Sequence, residues 1–149
     1  MSSFWLNDQP AVASNPNNVL VELGVKVRSN RDGLIEGLHY FNGDVNVTTH
    51  TAKLWTSDGD LLMSEVFTNT PEIRWLDVMF TTPVSIAANT TYVMSYDTTG
   101  AFPSTSGGLV VPPRSISPAM RALTHDEDGG NGVYAYGSGF PNAALALFW

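Results

Sequence analysis

The chain of 149 residues contains no cysteine, which removes disulfides, thiol catalysis and cysteine-ligated zinc together. It does not fix the compartment. Charged residues are scarce, 14% of the chain against about 25% in an average globular domain. Bases are scarcer still: seven Lys and Arg stand against fourteen Asp and Glu, for a net charge of -7. Such a surface repels phosphate backbones, which argues against nucleic acid as a partner. Its commonest role is solubility. No apolar run approaches the ~18 residues of a membrane span, so no membrane insertion is expected. The opening stretch MSSFWLNDQP has neither the basic nor the apolar segment of a signal peptide. An excised mature module with an added Met1, or export by another route, is the expectation.

What is present is a β-rich composition. Hydrophobic residues make up 43% and aromatics 11%, enough for one core without metal or disulfide staples, in one domain spanning 1–149. Val19, Val21, Leu23, Val25 and Val27 alternate with Glu22, Lys26 and Arg28, the period of a half-buried strand. LIEGLHYF (Leu34 to Phe41) is a second strand. AKLWT and LLMSEVF flank Ser57-Asp58-Gly59-Asp60, where Asp-Gly supplies the positive φ angles of a tight hairpin. RWLDVMF sets Leu76, Val78 and Phe80 on one face. TTPVSIAANT reads as a connector, because Pro83 discourages a central strand. TYVMSYD, GVYAYG and NAALALFW complete the strand candidates, and nothing resembles a long amphipathic helix.

One region departs from this rhythm. Thr98 to Gly132 carries Pro103, Pro112, Pro113 and Pro118 together with TSGG and HDEDGGNG, the composition of a long irregular loop. GGLVVPP within it could contribute one short strand. The predicted fold is therefore all-β: a single antiparallel β-sandwich, jelly-roll-like, with one long Pro/Gly-rich loop.

PAVASNPNNVLVELGVKV, GLHYFNG, HTAKLWTSDGDLL, PVSIAANTTYVMSYDTTGAF and NGVYAYGSGFP occur in this order. Together they resemble the bacterial family catalogued as domain of unknown function 4082, from about Phe4 to Pro141. The resemblance implies a β-sandwich module of secreted or cell-surface proteins, found beside adhesion-type repeats or carbohydrate-active domains. It implies no established activity and no catalytic residues. The chain departs from the family pattern in HDEDGG before Asn131. It also ends at Trp149, where the family usually runs a few residues further in a final strand.

No Gly-x-Ser-x-Gly, His-Glu-x-x-His or paired-carboxylate signature accompanies the three histidines, His39, His50 and His125, so no catalysis is expected. His50 reads as a hydrogen-bonded strand-start residue. Asp126, Glu127, Asp128 and Asn131 offer hard oxygen donors of the kind calcium takes, with Asp126, Asp128 and Asn131 the metal candidates. Gly130 at the third ligand position breaks the EF-hand spacing, so a solvated acidic loop and no cofactor is the leading expectation. Glu22 is a further donor on a polar strand face.

Sugar rings stack on aromatic side chains, which makes Trp75, Tyr96, Phe102, Tyr134 and Tyr136 the ligand-binding candidates, with Trp5 and Tyr40 in reserve. Trp75 is offset by one from the Leu76/Val78/Phe80 face and should point away from it. Aromatics in sandwiches mostly build core and sheet cover. Asn46-Val47-Thr48 and Asn89-Thr90-Thr91 are sequons, which matter only in a glycosylating host. The carboxyl end is apolar on both strand faces, so Leu145, Leu147, Phe148 and Trp149 are expected to be buried within the fold or against a second subunit.

The expected function is a noncatalytic extracellular or cell-surface binding module for a carbohydrate or a matrix component. The alternative is a structural subunit that self-assembles into oligomers or extracellular fibres through its apolar terminal strand.

Overall fold

The structure, a computed structural model, describes residues 9–15, 18–99, 102–106, 119–124, 126–144 and 147–148. Twelve strands and no helix occur among them: β1 (Val12–Asn15), β2 (Val21–Ser29), β3 (Gly33–Asn42), β4 (Thr49–Thr56), β5 (Leu61–Thr68), β6 (Arg74–Ile86), β7 (Thr91–Thr98), β8 (Phe102–Ser106), β9 (Met120–Ala122), β10 (Gly132–Tyr136), β11 (Ala143–Ala144) and β12 (Leu147–Phe148). All pairings are antiparallel. The main sheet runs β11-β10-β2-β7-β4-β5, with β9 also on β2. A β3-β6 ribbon and a β1-β8-β12 sheet accompany it.

The alternation in β2 and β7 explains the layering. Val21, Leu23, Val25 and Val27 share a face with Tyr92 and Tyr96 of β7 and Ala52 and Leu54 of β4. Across that face lie Ile35, Leu38 and Tyr40 of β3 and Val78, Phe80 and Ile86 of β6, in one buried cluster. Val27 and Leu54 are fully buried, each burial contributing about 1.5–3 kcal/mol. The chain thus forms an antiparallel sandwich.

Several elements differ from the reading of the sequence. The β4–β5 connection is a three-residue loop, Ser57-Asp58-Gly59, in which Asp-Gly does not supply two positive φ angles. Gly59 N–H donates to Thr56 O and Thr56 N–H to Asp60 O, and only Gly59 of the pair takes a positive φ, 95°. This is a type I turn closed by a left-handed glycine. The predicted connector at Pro83 lies inside β6. Val84 pairs with Ile35 and Met79 with Gly37, so Pro83 falls in the bulge between those pairs, outside the paired positions of the ladder.

β2 is not half-buried but covered on both faces along most of its length. The loop from Thr98 to Gly132 contains no helix among its described residues, and it includes β8 and β9. The strand considered at GGLVVPP lies outside the described residues.

Candidate functional site

The face of β2, β4 and β7 turned away from the main core carries a sealed polar cluster. Register places Lys53 of β4 opposite Ser95 of β7, and Ser95 opposite Gly24 of β2. Lys53 Nζ donates to Glu22 Oε2 at 2.6 Å and to the Ser138 carbonyl at 2.9 Å, and lies 3.5 Å from Asp97 Oδ2. Ser95 Oγ donates to Glu22 Oε1 at 2.5 Å and accepts from Trp55 Nε1 at 2.8 Å. Asp97 Oδ1 accepts the Thr51 N–H at 2.7 Å. Gly24 gives the cluster its room, since a Cβ there would press on Met94 O, Ser95 Cβ and Val93 Cγ1 at 3.0–3.2 Å.

The cover is the segment after β10. Ser138 supplies its carbonyl, Phe140 meets the Trp55 ring edge-on at 5.5 Å, and Pro141 is fully buried. Trp55, Val93 and Val133 form a small apolar wall beside it. Glu22 has no solvent exposure. Burial pushes its carboxyl up to about 7, opposed by the hydrogen bonds from Lys53 and Ser95. The sequence reading placed Glu22 on a polar face open to a metal; the structure instead turns both its oxygens to Lys53 and Ser95. Lys53, Ser95 and Asp97 were missed. The available signal was a lysine two residues from a tryptophan on one face of a strand.

The acidic loop is committed internally. Glu127 takes Arg121 in a fork, both bonds 2.7 Å, and accepts the Thr124 N–H. These bonds, Arg121 first, hold its carboxyl down at about 2. Asp128 Oδ2 accepts from Arg28 at 2.6 Å and Thr91 at 2.5 Å, and its carboxyl is lowered, chiefly by the Thr91 bond. Its backbone carbonyl takes Lys26 Nζ. Asn131 is fully buried and patches the ladder between β9 and β10: Lys26 N–H donates to its Oδ1, and its Nδ2 donates to Leu123 O. Asp126 is exposed. The three metal candidates therefore do not share one site. No group of three or more His, Asp or Glu among the described residues is placed to hold a metal ion. Beside this loop a cleft of about 190 Å³, lined by Arg28, Asn30, Asn89 and Arg121 among others, is smaller than the ~300–1,000 Å³ of ordinary ligand pockets. Both arginines at its rim are already paired.

The aromatic candidates are dispersed. Tyr96 is buried between Leu23 and Ala52, which removes it as a stacking surface, and burial raises its phenol well above the usual range. Phe102 is partly buried against the core. Trp75 pairs with Phe41 and is partly buried, packed against the edge of the core cluster that holds Val78 and Phe80. One face of its indole is occupied by His39, stacked at 4.5 Å and 6° and held by Asp77 at 2.6 Å. Tyr134 and Tyr136 share one face of β10, their rings 5.9 Å apart and nearly perpendicular. Tyr134 packs against the core, while Tyr136 is 74% exposed. His50 is buried, with Nε2 bonded to Thr48 Oγ1 and Nδ1 to Asp97 O.

At the carboxyl end the β12 backbone pairs with β8, Leu147 with Ser106 and Phe148 with Thr105. Leu145 and Trp149, and the side chains of Leu147 and Phe148, lie outside the described residues, as do Trp5 and His125.

Fold and site together define an antiparallel β-sandwich with a polar cluster sealed against one face of its main sheet. The sequence profile of the family described as "Domain of unknown function (DUF4082)" matches residues 7–148, nearly the whole chain, and the protein belongs to that family. No curated protein matches it.

Proposed function

We propose that the protein is a noncatalytic binding module of a secreted or cell-surface protein, and that its ligand is a carbohydrate of the surface or matrix. The observation that carries this reading is Tyr136. Among the described residues it is the only aromatic side chain that is more than a third exposed, and Tyr134 braces it edge-on. A braced, solvent-facing phenol offers the flat π-face and hydroxyl that a pyranose ring uses. The noncatalytic part is supported by the histidines, since His50 is buried with both ring nitrogens bonded and His39 is stacked on Trp75. The net charge of -7 speaks against nucleic acid. The self-assembly alternative draws no support from the terminal strand, whose described backbone pairs with β8 of the same chain.

A glycan array probed with the purified protein and with Tyr136→Ala tests the reading. The parent is expected to bind at least one glycan, and the variant to lose about tenfold in affinity, about 1.4 kcal/mol, with an unchanged melting temperature. A parent that binds nothing, or a variant that binds equally, removes the proposal. A mass measurement in solution on the same sample is expected to give a monomer.

A further inference from the structure

Covering a reactive set of side chains with its own chain makes that chain the nearest partner it can act upon. Lys53, Asp97 and Glu22 are such a set: a primary amine, a carboxyl within reach of it, and a second carboxyl touching the amine. We propose that Lys53 and Asp97 condense to an intramolecular amide, an isopeptide cross-link between β4 and β7, with Glu22 carrying the proton.

The geometry supplies each requirement. Lys53 Nζ is 3.5 Å from Asp97 Oδ2, which sets the amine beside the carboxyl group that it would have to attack. The Ser138 carbonyl and Glu22 Oε2 hold the amine from two other directions. Thr51 N–H fixes the other Asp97 oxygen and polarises the carboxyl carbon. Ser95, itself held by Trp55, pins Glu22 Oε1 so that Oε2 stays on the amine. The Lys53 side chain is 10% exposed, Asp97 17% and Glu22 0%. In so dry a place two carboxylates around one ammonium leave an uncompensated charge, which favours a proton shared within the set.

The step balances without any co-reactant. Lys53 Nζ gives one proton to Glu22 and becomes a neutral amine. Its lone pair forms the N–C bond to Cγ of Asp97. A second proton leaves the nitrogen for one Asp97 oxygen, and Glu22 returns its proton to that same oxygen, which departs as water. Glu22 ends as it began, a proton shuttle in the sense of general acid–base catalysis, and the amine acts as the nucleophile. The amide that replaces the Lys53–Asp97 ion pair is uncharged.

Intact-mass measurement on the folded full chain tests this directly. The parent is expected one water lighter than its sequence, and digestion is expected to give a branched peptide joining Lys53 to Asp97. Peptide mapping separates this from water loss at the Asp-Gly pairs 32–33, 58–59 and 128–129. Lys53→Arg, which keeps the cation, and Asp97→Ala should both have their full sequence mass. Asp97→Asn carries the sharper signature: condensation there releases ammonia in place of water, so the variant should converge on the same final mass as the parent. Glu22→Gln should fold yet stay largely uncross-linked. A folded parent with the full mass of its sequence, or a water loss mapping only to other residues, overturns the proposal. So does a Glu22→Gln protein cross-linked as fully as the parent.

Discussion

Glu22 and Glu127 make nearly the same ion pair and respond to it in opposite ways. Lys53 reaches Glu22 at 2.6 Å and Arg121 reaches Glu127 at 2.7 Å, each carboxylate taking further hydrogen bonds. Yet the Glu22 carboxyl rises to about 7 while that of Glu127 falls to about 2. Depth decides. Glu22 lies under residues 137–141 with no exposure, so losing water costs its charged form more than Lys53 and Ser95 return. Glu127 keeps a third of its side chain in solvent, and its forked bond to Arg121 wins. A short ion pair therefore says little about stability until its burial is known.

The largest expected effect breaks the buried side of that contrast. In protein whose Lys53 is still an ammonium, Glu22→Ala leaves it without its nearest counter-charge in a largely buried site, and should cost about 3–5 kcal/mol in denaturant unfolding. A cost below about 1 kcal/mol would mean that the two clusters are energetically alike. Next comes pH, where the two groups should act in opposite windows. Glu22, raised in the folded state, contributes stability that is full below its ordinary 4.5 and is lost as pH rises through about 7. Glu127, lowered, contributes stability present above 4.5 and lost as pH falls toward about 2. Melting temperatures from pH 2 to 8 should show both limbs, Glu22→Gln flattening the upper and Glu127→Gln the lower; an exchange of those assignments would reverse the contrast.

Smaller effects sharpen the exposed side. Glu127→Ala should cost about 1 kcal/mol or less, as partly solvated pairs do, and a loss near that of Glu22→Ala would show the loop to be a keystone. Smallest of all is the response to calcium. Asp128 and Glu127 are already engaged by Arg28, Thr91 and Arg121, so melts with chelator and with millimolar calcium should agree within a few degrees. A large upward shift with calcium would signal a bound ion.

Much of the fold was legible because its signals are local. The alternation from Val21 to Val27 marks β2, and Ser57-Asp58-Gly59 marks the β4–β5 loop, although only the geometry distinguishes its three-residue form. What escaped depends on distant chain. The polar side of β2 reads as solvent-facing because nothing near Glu22 in sequence announces that Ser138 and Phe140 will cover it. Pro83 reads as a break because a bulge opposite Ile35 and Gly37 is visible only once β3 and β6 pair. The acidic loop reads as solvated because its neutralising arginines come partly from another strand, Arg28 on β2. Tyr96 and Tyr136 look alike in sequence. One lies on a central strand and the other near a sheet edge.

The place of β2 in the main sheet also bears on how the chain assembles itself in time. Its partners are β7, β9 and β10, and the first of these arrives late, Arg28 and Thr91 standing 63 positions apart. β4 and β5, by contrast, can pair as soon as their three-residue loop has been made. During synthesis from the amino end, a valine-rich strand therefore waits with open edges while its neighbours are still unmade. Long-range pairing of this kind folds slowly and exposes sticky intermediates. The interval between making Ser29 and Thr98 is when the edges of β2 stand without their β7 partner.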